Sequence, residues 1–123
     1  MPNGKICYLE IPTDDVERSA RFYTDVFRWT TRVRGDGQHA FDDTTGAVSG
    51  AWVLGRPPQR EPGMLAYIMV DSIERTLAAV TKGGGRVMTP LTALHAAGEA
   101  FATIADPAGN VVGLYQEPGQ QRG

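Results

Sequence analysis

The sequence predicts an α+β fold built from one βαβββ unit used twice, and three observations carry that expectation. The stretches DDVERS (14–19) and DSIERT (71–76) nearly match at a constant offset: 73 − 16 = 57 for Val16 and Ile73, and 75 − 18 = 57 for Arg18 and Arg75. Each stretch follows a strand-like run, opens a helical stripe, and is succeeded by three more strand-like runs. Between the copies lies RPPQREPG (56–63), polar, Pro-rich and apolar-poor, which reads as a linker. Neither half can bury its sheet face alone, so the two copies must pack together.

KICYLEI (5–11) alternates, with Cys7, Leu9 and Ile11 on one face and Tyr8 and Glu10 on the other. Pro12 ends the run. Asp14 is the expected N-cap of a first helix, with Glu17 three residues on as its capping-box partner. Val16, Ala20, Tyr23 and Phe27 give that helix its apolar stripe. Strands are predicted at TTRVR (30–34), HAFDD (39–43) and AVSGAWVLG (47–55), separated by the turn chemistry of GDG and TTG. After the linker, MLAYIMV (64–70) is a strand and Asp71 the expected cap of a second helix, with Glu74 three residues later. Ile73, Leu77 and Val80 form its stripe, and the glycines at 83–85 stop it. RVMTPLTAL (86–94), EAFATIAD (99–106) and NVVGLYQ (110–116) complete the second unit. DPAG (106–109) is a reverse turn feeding the last hairpin.

The 123 residues suit one domain (1–123), divided into a module at 4–55, the linker, a module at 64–117 and a tail at 118–123. Hydrophobic residues make up 41% and charged residues 21%, ordinary for a soluble globular chain. The net charge of −2 gives no reason to expect nucleic acid or an anionic membrane as a partner. No apolar run reaches the ~20 residues of a membrane span, and MPNGKICYLEIP lacks the apolar core of a signal peptide. The single cysteine, Cys7, cannot close an internal disulfide, and its strand parity points it to the core as inert packing. Together these features predict a reduced, cytoplasmic setting.

YLEIPTDDVERSARFYTDVFRW (8–29) and FATIADPAGNVVGLYQ (101–116) carry a resemblance. The chain resembles the vicinal oxygen chelate superfamily, which includes glyoxalase I, bleomycin-resistance proteins and extradiol dioxygenases. The first stretch is similar to the family's opening strand and helix through Asp15, Ser19, Phe22, Tyr23 and Val26, with Arg28 where the family usually has Gly. The second is similar to the closing hairpin with its D-P-x-G-N turn. The resemblance implies two βαβββ modules whose curled mixed sheets form a cup that holds the ligand. It also implies a homodimer with two cups.

Metal-using members place His or Glu at four equivalent strand positions facing the cup. Carried over one by one, these fall on Tyr8, near Gly50, on Leu65 and on Gly113. Glycine and leucine offer no side-chain donor, and a lone phenol is a poor ligand near neutral pH. No metal and no other cofactor is therefore expected. His39, His95, Asp42, Asp43, Glu99 and Glu10 remain as improvised ligands. Against that reading, His39 lies in a polar turn context, Asp42 and Asp43 are adjacent and point oppositely, and His95 and Glu99 straddle a Gly turn.

Strand parity together with the resemblance assigns the cup walls to Tyr8, Glu10, Gly50, Trp52, Leu65, Tyr67, Met69, Val111, Gly113 and Tyr115. Such a lining suits a planar or apolar small molecule, and Gly50 and Gly113 are expected to leave room for it. The alternative is that the aromatics fill the hollow as core. Glu10 is either an acid with a raised pKa able to act in general acid–base catalysis, or half of an ion pair with Arg32 or Arg86, or exposed at the rim. His95, in the loop LHAAGE near the cup mouth, is the second candidate catalytic group. The function expected is binding of a small apolar or aromatic molecule in a dimeric cup. The alternatives are an acid–base lyase or isomerase, or a divalent-metal enzyme of glyoxalase or dioxygenase type.

Overall fold

Alternation and stripe resolve into ten elements in a computed structural model that describes residues 3–35 and 37–119. They are β1 (Tyr8–Pro12), α1 (Val16–Phe27), β2 (Thr30–Val33), β3 (His39–Asp42), β4 (Ser49–Val53), β5 (Tyr67–Met69), α2 (Ile73–Lys82), β6 (Arg86–Ala93), β7 (Ala100–Ala105) and β8 (Val111–Gln116). The predicted tail ends in residues 120–123, which lie outside the described residues, as does Asp36 of the GDG turn.

The strands make two four-stranded mixed sheets, ordered β1-β4-β3-β2 and β5-β8-β7-β6. In each, the first strand runs parallel to the last and the other pairs are antiparallel. Each helix links the two edge strands of its sheet, β1 to β2 and β5 to β6, and must cross one face to do so, so α1 covers the first sheet and α2 the second. The helices also pack on each other. This is the expected βαβββ unit, present twice.

Both helix starts sit one residue later than predicted. Asp15, not Asp14, caps α1 by accepting from the Arg18 backbone N–H at 3.0 Å. Ser72, not Asp71, caps α2 by accepting from the Arg75 N–H at 3.1 Å. The buried Thr13 hydroxyl explains the first shift: it accepts from the Asp15 N–H and pairs with the Ser19 hydroxyl at 2.7 Å, so the chain is still non-helical at Asp14. Asp14 instead forms an exposed ion pair with Arg18. Arg28, where the family usually has Gly, takes a left-handed φ of 62° and donates its backbone N–H to Thr24.

The core lies between helices and sheets. Tyr23 stacks on Trp29 at 4.8 Å, Trp29 stacks on Phe41 at 4.7 Å, and Trp52 closes the group at 4.8 Å from Phe41. Ile73, Val80, Ala102, Ile104 and Leu114 form the equivalent layer of the second module. A buried polar seam joins the modules. The Tyr23 hydroxyl donates to Asp106 Oδ2 at 2.8 Å. Asn110 Nδ2 donates to the same oxygen and to the Pro12 carbonyl, and Asn110 Oδ1 accepts from the Gln59 N–H. The segment read as a linker is thus docked along the second module.

Candidate functional site

Strand registers decide which side chains share a face. In the second sheet Tyr67 pairs with Gly113, Met69 with Tyr115, and Phe101 with Tyr115, so all five lie on the face away from α2. In the first sheet Tyr8 pairs with Ser49, Leu9 with Gly50, and Ile11 with Trp52. Tyr8 and Glu10 therefore share the open face, with Ser49 and Ala51 as their β4 neighbours. Gly50 and Trp52 go with Leu9 and Ile11 to the helix side, which corrects their assignment to the cup wall. Trp52 is 1% exposed and belongs to the aromatic core.

Neither glycine leaves a hollow. A Cβ at Gly50 would run into the Leu9 carbonyl and the Phe41 ring, and one at Gly113 would come within 2.5 Å of the Tyr67 ring. In both cases an aromatic side chain from the paired strand lies in the space the missing side chain vacates. Cys7 is exposed rather than packed in the core, and it lies just ahead of β1.

Two hollows take up part of the predicted set. A cavity of about 340 Å³ opens between the modules. Leu9, Ile11, Trp29 and Val48 line it from the first module, and Met64, Ile68 and Val112 from the second. Glu10, Tyr67, Met69 and Val111 of the predicted set reach its wall. Its few polar atoms include the Tyr23 and Asn110 side chains of the seam. Burial, and then the charge of Asp106 and the hydrogen bond to it, hold the Tyr23 phenol well above its usual range, so it is a neutral donor at physiological pH. The second hollow, a bay of about 480 Å³ on the open face of the second sheet, is lined by Tyr67, Leu94, Phe101 and Tyr115.

The other predicted groups are placed apart. The Tyr8 hydroxyl accepts from Arg34, whose guanidinium also lies over the Tyr8 ring. Leu65 is half-buried ahead of β5. The Glu10 carboxylate is ion-paired with Arg56 of the linker, not with Arg32 or Arg86, and is 41% exposed. Arg32 pairs with Asp42, whose carboxyl is held below its usual range by hydrogen bonds from Arg32 and Ser49. His95 is exposed in the β6–β7 loop, on the other sheet from Glu10. Its neighbour Glu99 turns instead to Tyr115, accepting the phenol proton at 2.6 Å. That bond, then desolvation and the charges of Glu99 and Glu117, raises the Tyr115 pKa.

The positions to which the resemblance assigns metal ligands do not fit a divalent ion. Tyr8 is engaged by Arg34, Leu65 and Gly113 have no donor, and the open-face residues of β4 are Ser49, Ala51 and Val53. Among the described residues no three His, Cys, Asp or Glu side chains gather where they could hold a metal. No helix among those residues is long and apolar enough to cross a membrane.

The model of the Glyoxalase/Bleomycin resistance protein/Dioxygenase superfamily matches residues 5–114. The chain belongs to that superfamily. A glyoxylase-like domain-containing protein of Didymella fabae is 30% identical over 125 residues, covering 96% of this chain and 98% of the relative. A glyoxylase candidate of Mycobacterium bovis, CFP32, is 32% identical over 116 residues, but the chain spans only 44% of its length. Among solved structures, a superfamily member from Sphaerobacter thermophilus superposes with a TM-score of 0.74 at 18% identity, covering 93% of this chain and 98% of the other. TnmS3, an antibiotic binding protein from a Streptomyces species, superposes at 0.67 with 23% identity over 94% of this chain and 98% of its own. At these identities the structural matches establish the fold of this superfamily member and nothing finer.

Sequence reasoning missed Leu9, Ile11, Trp29, Val48, Met64, Ile68 and Val112 as cavity residues, and Phe101 and Leu94 as bay residues. Parity places Leu9 and Ile11 against the helix, as observed, but the cavity opens where one module's helix side meets the other's. One signal lay unused in the sequence. DTTGAV (43–48) and DPAGNV (106–111) repeat at 106 − 43 = 63. In both turns the Asp side chain accepts from backbone N–H groups ahead of it, and the Gly adopts positive φ. Of the two turns, the one at 106–111 joins the modules, through Asp106 to Tyr23 and Asn110 to the Pro12 carbonyl.

Proposed function

We propose that this superfamily member sequesters a small apolar or aromatic molecule in the cavity between its modules, as a homodimer and without metal or cofactor. The observation that carries the reading is the cavity itself: about 340 Å³, walled mainly by aliphatic and aromatic side chains, with few polar groups to orient a guest. The antibiotic-binding neighbour makes aromatic antibiotics a sensible first screen. The dimer is supported by the apolar residues left on the open sheet faces, where Tyr67 is 51% and Met69 60% exposed.

The test is a melting assay with neutral planar aromatics, followed by recovery of the probe. A probe at 100-fold its dissociation constant stabilises by about 2.7 kcal/mol, or roughly 10 °C for a chain of this size. It should come back unchanged, and Val48→Trp, which fills the cavity, should remove the shift. Dialysis against EDTA should alter neither melting nor binding, and sedimentation should give a dimer. A shift that survives Val48→Trp would move the site elsewhere. Consumption of the probe would restore a lyase or isomerase acting through Glu10 or His95, and a loss of binding with EDTA would restore the metal enzyme.

A further inference from the structure

We propose that residues 60–65 form a lid on the inter-module cavity, and that Met64 is the side chain that closes over a bound guest. The inference rests on the inter-module reading above and adds the route by which a guest enters and leaves. It starts from the register along β8. The Val111 N–H donates to the Gln59 carbonyl at 2.9 Å, and the Gly113 N–H donates to the Ala66 carbonyl at 2.8 Å. The donors are 113 − 111 = 2 residues apart, whereas the acceptors are 66 − 59 = 7 apart. A regular parallel ladder advances equally on both strands. Residues 60–65 are therefore looped out between two anchors that sit side by side, the form of a short surface loop with its ends held together.

The anchors are firm and the loop between them is not. At the first anchor the Gln59 N–H also donates to Asn110 Oδ1 at 2.8 Å, and the Arg60 guanidinium lies against Gly109. The second anchor, Ala66, leads directly into β5. Among the described residues no backbone hydrogen bond holds 61–65, and none of the ion pairs uses Glu61. Pro62 and Met64 nonetheless border the cavity, together with Gln59 and Ala66 of the anchors. Met64 is 92% exposed. An unbranched apolar side chain at the rim of an apolar hollow gains by turning onto a guest, because both surfaces then leave water. A Cβ at Gly63 would meet open space, so nothing packs against the middle of the loop and Gly63 serves as its pivot.

The experiment follows N-phenyl-1-naphthylamine, a neutral fluorescent aromatic, by stopped flow on the full chain and on Gly63→Ala and Met64→Ala. Gly63 lies outside the left-handed region, so alanine fits there and only restricts the loop. Gly63→Ala should slow association and dissociation alike by roughly 2- to 5-fold, leaving the dissociation constant within about 2-fold. Met64→Ala should speed dissociation by roughly 5- to 30-fold with association little changed. Melting of each variant reports folding. Trypsin supplies a second readout, since Arg60 is followed by Glu61, whereas Arg56 is followed by Pro57 and resists cleavage. Saturating probe should slow cleavage after Arg60 at least ~5-fold more than cleavage after Lys82, which does not border the cavity and reports global unfolding. Both rates unmoved by Gly63→Ala, dissociation unmoved by Met64→Ala, or equal protection at Arg60 and Lys82 each overturns the proposal. If Val48→Trp abolishes binding while any of these results is found, the lid falls and the inter-module reading stands. If the parent chain does not bind the probe, or Val48→Trp binds it as the parent does, that reading and the lid fall together.

Discussion

Replacing Tyr23 by Phe tests the seam between the modules. The change deletes one oxygen and keeps the ring, so the stack on Trp29 at 4.8 Å and the contact with Trp52 survive. What is lost is a buried hydrogen bond of 2.8 Å between residues 83 positions apart, one on α1 and one in the β7–β8 turn. A hydrogen bond to a charged group contributes about 1.5–3 kcal/mol. Asp106 keeps its Asn110 and backbone donors, which places the expected loss toward the lower half of that range. The melting temperature should fall by roughly 5–10 °C.

The same variant has a signature in pH. Below the ordinary tyrosine pKa of 10.0 the Tyr23 phenol is protonated in both states and the seam contributes fully. Above it the unfolded chain releases this proton while the native chain keeps it, because the native pKa is raised. The unfolded state then binds fewer protons, and stability falls with rising pH by about 1.4 kcal/mol per unit for this group. Tyr23→Phe removes that share of the alkaline decline, leaving the part due to Tyr115, whose pKa is also raised. Urea unfolding followed by tryptophan fluorescence, at pH 7 and from pH 9.5 to 11, measures both effects. A loss below about 0.5 kcal/mol at pH 7, or an alkaline slope equal to that of the parent chain, would refute the seam as a source of stability.

Gly50→Ala should cost about 1–3 kcal/mol, because its Cβ meets the Leu9 backbone oxygen and the fully buried Phe41 ring. Gly113→Ala should cost less, since Tyr67 is half exposed and can swing aside; urea midpoints that rank the two in reverse would contradict the packing described. Asp15→Ala and Ser72→Ala should each lose about 1 kcal/mol, while Asp14→Ala and Asp71→Ala stay within roughly 0.5 kcal/mol. Equal losses at neighbouring positions would return the caps to Asp14 and Asp71.

What was legible in the sequence was local. Alternation alone puts Tyr67 with Met69, and Gly113 with Tyr115, on single faces, and the 57-residue offset locates both helix starts to within one residue. Two adjacent acids, Asp14 and Asp15, look alike as caps until Thr13 and Ser19 are seen to hold the preceding turn. Relations between strands were not legible. Whether Trp52 shares a face with Tyr8 or with Ile11 depends on the parallel register of β1 on β4, and a shift of one residue inverts the answer. Glycine suggested space at Gly50 and Gly113, but the register brings Phe41 and Tyr67 across from them. The inter-module cavity depends on how the halves dock, and Glu10 found Arg56 because the connecting segment folds back toward β1.

The two copies also differ in one dimension with a practical meaning. β6 is eight residues long where its counterpart β2 has four. The surplus sits at the tip of a hairpin, remote from the Tyr23–Asp106 bond. Leu94, Glu99 and Phe101 all lie in or beside this longer arm. The length and side chains of that protrusion can therefore vary while the joint that keeps the halves together stays as it is.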